Sequence, residues 1–176
     1  EHLIAVEVHH DAVVAQEAIG AKNWEAALAS LAEAQAIEPK SPYEAFMVDE
    51  LGWYARLQSQ DYAGAVQALE RAVASGFVAE ADVPQRYKAL AQLNYQLQDY
   101  AKAADFGTKY LAATPGDQPI TELVAQSKFL QQDYAGARAF VAQVMAGASK
   151  PSEQLLRIDL SSAVKMNDTP GMTRSL

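Results

Sequence analysis

A six-residue motif recurs along this chain and constrains its fold more than any other feature. It reads QDYAGA at residues 60–65, QDYAKA at 98–103 and QDYAGA at 132–137, and looser copies begin at Lys22 and Asn167. The third residue of each copy is thereby spaced by 38, 38, 34 and 35 positions; these residues are Trp24, Tyr62, Tyr100, Tyr134 and Thr169. A period of this length predicts stacked supersecondary units rather than one globular core.

The chemistry of the motif predicts a turn between two helices. Its Asp or Asn can accept backbone N–H groups as the N-cap of a new helix. The aromatic residue that follows is large enough to lie between two helices, and the two alanines are small enough to let their backbones approach. Breaks rich in proline and glycine follow each second helix, at residues 38–42, 75–76, 114–117 and 147–151. The sequence therefore predicts helical hairpins joined at these breaks.

Composition agrees with an all-α chain. Aromatic residues make up only 9% of the 176 residues, alanine is abundant, and no stretch alternates apolar and polar residues as a strand does. The sequence contains no run of about 18 apolar residues, the length that would predict a membrane span.

The net charge is −8 with a pI near 4.8, which disfavours nucleic acid as a partner. The absence of cysteine excludes disulfides and thiol chemistry.

The third hairpin carries a pattern that resembles the tetratricopeptide repeat. The matching residues are Tyr87, Leu90, Ala91, Tyr95, Asp99, Tyr100, Ala103, Tyr110 and Pro115. The chain departs from that pattern at Ala91, where glycine is usual, and at Gly107 and Tyr110. The resemblance implies a right-handed α-solenoid of antiparallel helix pairs. We expect one repeat domain over residues 1–176, with units at 1–40, 41–80, 81–115 and 116–150 and a truncated fifth unit at 151–176.

Two shorter segments, residues 41–47 and 165–171, resemble parts of exported tetratricopeptide proteins of Gram-negative bacteria. This similarity implies a periplasmic or otherwise exported protein, with a cytoplasmic location as the alternative. The chain begins with Glu1 rather than methionine and stops early in the second helix of its fifth unit. We therefore interpret it as a fragment or mature form from which a signal sequence could have been removed.

The resemblance also implies where a ligand would bind, because the first helix of each tetratricopeptide unit lines a concave face. The candidate groove residues in those helices are Tyr54, Gln58, Lys88, Gln92, Tyr95, Gln96, Gln126 and Phe129. Glutamine both donates and accepts hydrogen bonds, so these amides suit a peptide backbone, while the aromatic rings suit apolar anchors. The alternative is that Tyr95 and Phe129 only pack between units.

Other site chemistry has little support in the sequence. His2, His9 and His10, with Glu7 and Asp11, could bind a metal, but adjacent histidines on a helix point to different faces. No phosphate loop, nucleophile elbow or HExxH motif occurs. The lysine and asparagine clamp of chaperone-binding relatives would need asparagine where Gln92 and Gln126 stand, and only Lys88 matches it. We predict no cofactor.

The sequence thus predicts a non-enzymatic scaffold that binds a protein or peptide of unknown identity. One alternative is a small enzyme or metal-binding protein that uses the N-terminal histidines. A second is a structural subunit of a larger envelope assembly. Apolar residues of the fifth unit also predict that its last residues fold back over it, or that two copies pair there as a homodimer.

Overall fold

The computed structural model describes the backbone of residues 2–147 and 152–168 and, within those ranges, the side chains from Glu7 onward. This part of the chain is all-α, as predicted, and contains no strand. Its helices are α1 (His2–Gly20), α2 (Trp24–Ala36), α3 (Pro42–Gln58), α4 (Tyr62–Ala74), α5 (Val83–Gln96), α6 (Tyr100–Ala113), α7 (Gln118–Leu130), α8 (Tyr134–Gly147) and α9 (Glu153–Lys165). The chain divides into two compact units, Glu1–Arg86 and Tyr87–Leu176.

The described residues of every motif copy begin with the same tight turn. In the third copy Gln98 adopts φ +63° and its N–H donates to Tyr95 O, while the N–H of Asp99 donates to Asn94 O. This pair of bonds is the Schellman arrangement that ends a helix on a left-handed residue. The Asp99 carboxylate then accepts the N–H of Lys102 at 3.1 Å as the N-cap of α6. The other motif copies place a positive φ at the same position, at Lys22, Gln60, Gln132 and Asn167.

The last alanine of the motif, not its aromatic ring, is the fully buried residue. Ala27, Ala65, Ala103 and Ala137 are all completely inaccessible to solvent. The sequence predicted that the ring lies between helices, but Tyr100 is only half-buried and meets Tyr95 edge to face at 5.6 Å between ring centroids. The alanine is therefore the residue of the turn that is enclosed completely, while the ring packs against the preceding helix.

The first unit buries an alanine-rich core between α1, α2 and α3. Val8, Leu31 and Val48 are its largest fully enclosed side chains, and Ala15 and Ala34 fill the closest contacts. Helix α3 begins with a capping box in which Ser41 and Glu44 exchange hydrogen bonds with each other's backbone N–H groups. Asp49 on α3 is buried and holds Arg71 of α4 at 2.6 Å. These contacts fix the position of α3, whose exposed residues include Tyr54 and Gln58.

The second unit is built around the contacts between α6 and α7 and between α8 and α9. Ile120 and Val124 of α7 are fully buried against Tyr110 of α6. Helix α5 begins at Val83, because Pro84 is tolerated in a first helical turn. These helices carry most of the predicted groove residues.

The described part of the fifth repeat buries only one face of α9. Leu155 and Ile158 pack against Val141 of α8, whereas Val164 and Met166 are 51% and 45% exposed. Arg138 of α8 forms ion pairs with Asp159 and Asp168 and fastens the end of α9. Several sequence predictions fall outside the described residues; they concern the side chain of His2, the break at 148–151 and the anchor Thr169.

Candidate functional site

Six of the eight predicted groove residues lie on α5 and α7 of the second unit. Gln92 and Gln96 are exposed, whereas Lys88, Tyr95, Gln126 and Phe129 are half-buried. The other two, Tyr54 and Gln58, are exposed on α3 of the first unit, where Tyr54 meets Trp24 edge to face at 6.0 Å. The two sets belong to different units.

A groove crosses α5, α7 and α9 in the second unit and is called the amide groove below. It consists of two adjoining depressions of about 230 and 190 Å³ that share Gln126 and Gln154. The first depression is also lined by Tyr95 and Glu122 and the second by Phe129 and Arg157. The structure thus brings Tyr95, Gln126 and Phe129 to one surface.

A hydrogen bond between two glutamines lies at the centre of the amide groove. Gln154 Nε2 donates to Gln126 Oε1 across 2.7 Å, joining α9 to α7. The sequence did not single out Gln154, Arg157 or Ser161, although the repeat itself signals that α9 is a first helix like α5 and α7. The groove therefore extends one helix further along the chain than predicted.

The two aromatic residues of the amide groove each pack within a hairpin and also line the groove. Tyr95 meets Tyr100 at 5.6 Å, and Phe129 meets Tyr134 at 5.3 Å, each edge to face with the first aromatic residue of the following helix. Partial burial raises the pKa of Tyr95 above its ordinary value, with a smaller contribution from Tyr100. Each ring is thus held in place by its own hairpin while another part of it lines the groove.

Lys88 has a structural partner that the sequence did not reveal. Its Nζ lies 2.7 Å from Asp117 Oδ2 and over the ring of Tyr110 at 5.2 Å. Asp117 also accepts the Tyr110 hydroxyl at 2.9 Å and the N–H of Ile120 as the N-cap of α7. The hydrogen bond from Lys88 lowers the pKa of Asp117 and, reciprocally, raises the pKa of Lys88. The lysine is therefore engaged in joining α5 to α7.

The remaining charges around the amide groove are also engaged in local pairs. Arg157 Nη2 donates to Glu153 Oε1 at 2.6 Å, and Glu122 Oε1 accepts from Gln118 Nε2 at 2.9 Å. The groove consequently offers amides and aromatic rings rather than a concentrated charge of either sign. Such a surface matches a polar backbone better than a charged end group.

The histidines and carboxylates that could bind a metal form no cluster where the structure describes them. His9 and His10 are both exposed on α1, and the described residues contain no cluster of three or more His, Asp or Glu that could hold a metal ion. Within the same residues, no helix is long and apolar enough to cross a membrane.

On α3 of the first unit, a half-buried ionic cluster adjoins Tyr54. Glu50 pairs with Arg86, and the guanidinium carbon of Arg86 lies 5.2 Å from the ring centre of Trp53. Burial raises the pKa of Glu50 above its ordinary value, and the attraction of Arg86 opposes that shift. The cluster therefore orders the middle of α3 instead of offering a free charge.

Comparison with solved structures identifies the class of fold. A chain in the structure of Naa15/Naa10 bound to HypK-THB aligns with a TM-score of 0.69 and 18% identity over 94% of this chain and 25% of its own length. MamA AMB-1 aligns with a TM-score of 0.59 and 14% identity over 97% of this chain and 95% of its own. PilW, a widely conserved type IV pilus biogenesis factor, aligns at 0.53 and 16% over 93% and 72%.

These neighbours are tetratricopeptide-repeat proteins, so the chain has the tetratricopeptide-repeat fold that its sequence predicted. It spans about a quarter of the length of the chain in the Naa15/Naa10 structure. No protein-family model matches the sequence, and no curated protein matches it either. At these identities the similarity establishes the fold and not the activity.

Proposed function

We propose that this protein is a non-enzymatic scaffold that binds an extended peptide segment in the amide groove. The observation that carries the proposal is the Gln126–Gln154 hydrogen bond, with Tyr95 and Phe129 lining the depressions on either side of it. Glutamine pairs of this kind have spare donors and acceptors, since each amide can make up to four hydrogen bonds. A peptide backbone can use them without a charged end group.

The ion pair of Lys88 bears on which kind of peptide the amide groove can bind. Lys88 is the one residue that matches the clamp for acidic carboxyl-terminal tails, and it is already paired with Asp117. Freeing it would break an ion pair that also involves the N-cap of α7. We infer that the groove takes an internal, neutral segment with apolar side chains for the two aromatic faces.

Panning a peptide-display library against the intact protein tests this proposal. Enriched peptides should lose at least about tenfold in affinity with Gln126→Ala or Gln154→Ala, which corresponds to about 1.4 kcal/mol. Gln143→Ala is the matched control, because Gln143 is exposed on α8 outside the amide groove. Failure to enrich any peptide, or equal binding by all three variants, would contradict the proposal.

We propose a bacterial, exported protein, and the likeness to the pilus biogenesis factor PilW supports this location. Fractionation of source cells into periplasm and cytoplasm tests this, and recovery in the cytoplasm would contradict it. Membership of an envelope assembly is tested by cross-linking and pull-down of the full-length protein.

A homodimer through the C-terminal unit is a further proposal. Its support is the exposure of Val164 and Met166 on and just after α9. Sedimentation equilibrium should show a dimer whose dissociation constant rises when Val164 is replaced by Lys. A monomer across the full concentration range would contradict the homodimer without affecting the amide groove.

A further inference from the structure

The net negative charge of the protein arises from its first unit. Residues 1–86 contain five Lys and Arg against fourteen Asp and Glu, whereas residues 87–176 contain nine against eight. With neutral histidines these counts give net charges of −9 and +1. Four of the five basic residues of the first unit already form ion pairs within it; they are Lys40, Arg56, Arg71 and Arg86. A net charge of this sign favours basic partners.

The same unit contains a second groove, between α1 and α3, which we call the aromatic groove. It encloses about 320 Å³, and Val8, Ala12, Tyr43 and Met47 supply its apolar lining. His9 and Glu44 add the polar groups. A hydrogen bond from the backbone N–H of Ser41, with one involving the Ser41 side chain, lowers the pKa of Glu44.

An exposed aromatic cluster adjoins the aromatic groove at Tyr43. Its ring meets Phe77 edge to face at 5.4 Å, and Phe46 lies 5.7 Å from Phe77. Gly76 has φ +77°, a conformation that suits glycine, and the Phe77 N–H donates to Ser75 Oγ at 3.1 Å, so the loop after α4 holds this ring against α3. Tyr43 and Phe77 nevertheless remain 53% and 45% exposed.

We propose that the aromatic groove binds a basic segment of a partner protein that carries an apolar anchor. The anchor enters the depression between Val8, Tyr43 and Met47, and flanking Lys or Arg side chains lie within the field of the acidic unit near Glu44. Cationic side chains also interact favourably with the exposed faces of Tyr43 and Phe77. This site differs from the amide groove in unit, in charge and in the partner that it selects.

The probe for this site is a fluorescein-labelled, C-terminally amidated peptide with a Leu-Phe pair flanked on each side by two lysines. Fluorescence anisotropy with the intact protein should show binding that weakens at least about tenfold when the ionic strength rises from about 0.02 to about 0.5 M. Replacing the Leu-Phe pair by Ser-Ser should weaken binding at least about tenfold. Replacing the lysines by glutamates should abolish it.

Variants of the protein locate the binding site of this probe. Tyr43→Ser and His9→Ser should each weaken probe binding about tenfold, and both residues are exposed, so the fold is expected to survive. Leu97→Ser is the matched control in the second unit, where Leu97 is 40% exposed, and it should bind the probe normally. Gln126→Ala should also leave probe binding unchanged.

Three results would overturn this inference. Binding that does not depend on the Leu-Phe pair would show charge attraction alone. Equal binding of the glutamate peptide would exclude selection by charge. Loss of probe binding with Gln126→Ala but not with Tyr43→Ser would place the probe in the amide groove instead.

Discussion

Lys88 and Asp117 are 29 positions apart in the sequence and form an ion pair with 2.7 Å between Nζ and Oδ2. Asp117 is also the N-cap of α7 and the acceptor of the Tyr110 hydroxyl. One carboxylate thus joins α5, α6 and α7, and the lysine that best matched a ligand clamp serves the architecture of the second unit.

We predict that Asp117→Asn lowers the free energy of unfolding at pH 7 by about 1 to 2 kcal/mol, because charge-assisted hydrogen bonds are replaced by weaker ones while Asn still caps the helix. Urea titrations of Asp117→Asn and Asp105→Asn provide the measurement. Asp105 makes only an exposed pair with Lys109, so Asp105→Asn should change stability by less than about 0.5 kcal/mol.

The pH dependence of stability should change in the same variant. The folded pKa of Asp117 is lowered, so its stabilisation is present above the unfolded value near 3.9 and disappears as the pH falls through the folded value. The folded pKa of Lys88 is raised, so its stabilisation is present below about 10.4 and disappears as the pH rises through the folded value. Asp117→Asn should therefore flatten both limbs of the stability profile, and two unaltered limbs would contradict the assignment.

Gln98→Gly should stabilise the protein by about 1 kcal/mol. Gln98 has φ +63°, a left-handed conformation that costs residues with a Cβ about 1 to 2 kcal/mol and that glycine adopts freely. Gln92→Gly is the matched control, because Gln92 is exposed inside α5, where glycine should destabilise by about 1 kcal/mol. Chemical denaturation measures both changes, and the same sign for the two would refute the role of the turn.

Gly107→Ala should destabilise by about 1 to 3 kcal/mol despite the better helix propensity of alanine. A Cβ at Gly107 would lie 2.4 Å from Val124 Cγ2, so α6 and α7 would have to separate. Gly20→Ala provides the comparison, since a Cβ there meets nothing within 4 Å at the end of α1. Thermal unfolding of the two variants should give opposite or clearly unequal shifts.

Tyr100→Ala should destabilise by about 2 kcal/mol, less than truncation of a fully buried ring, because the ring is only half-buried and packs along Tyr95. Ala103→Val, at a completely buried position in the same turn, should cost more through overpacking. Differential scanning calorimetry ranks the two, and a larger loss for Tyr100→Ala would show that the ring, not the alanine, holds the hairpin.

The helices could be predicted from the sequence because their turns and caps depend on residues close together in the chain. Helix α4, Tyr62–Ala74, begins within the second copy of the motif, because its turn depends on groups within five residues of one another. Gln60 takes the left-handed conformation, Asp61 caps the helix at Gly64, and Ala65 follows as the close contact. Each of these features depends only on residues that are neighbours in the chain, so the sequence alone is sufficient to predict the turn.

The candidate site depended on contacts that no local pattern contains. The resemblance to a repeat family selected Tyr95, Gln126 and Phe129 as groove residues, and the structure places these three on one surface. The resemblance did not reveal that Gln126 forms a hydrogen bond with Gln154, 28 positions later, or that Lys88 forms an ion pair with Asp117. Those pairings follow from the way helices pack, which depends on the volumes of residues far apart in the chain.

The sequence by itself thus determined the all-α class, the hairpin turns and the predominance of acidic residues in the first 86 positions. Only the tertiary structure decided which side chains remain available to a partner. The physical reason is the range of the interactions: capping and left-handed turns act over a few residues, whereas the pairing of a polar side chain depends on which distant helix lies within about 3 Å of it. Lys88 and Gln126 are both candidate groove residues in the sequence. In the structure Lys88 is paired with Asp117, whereas Gln126 lines the amide groove.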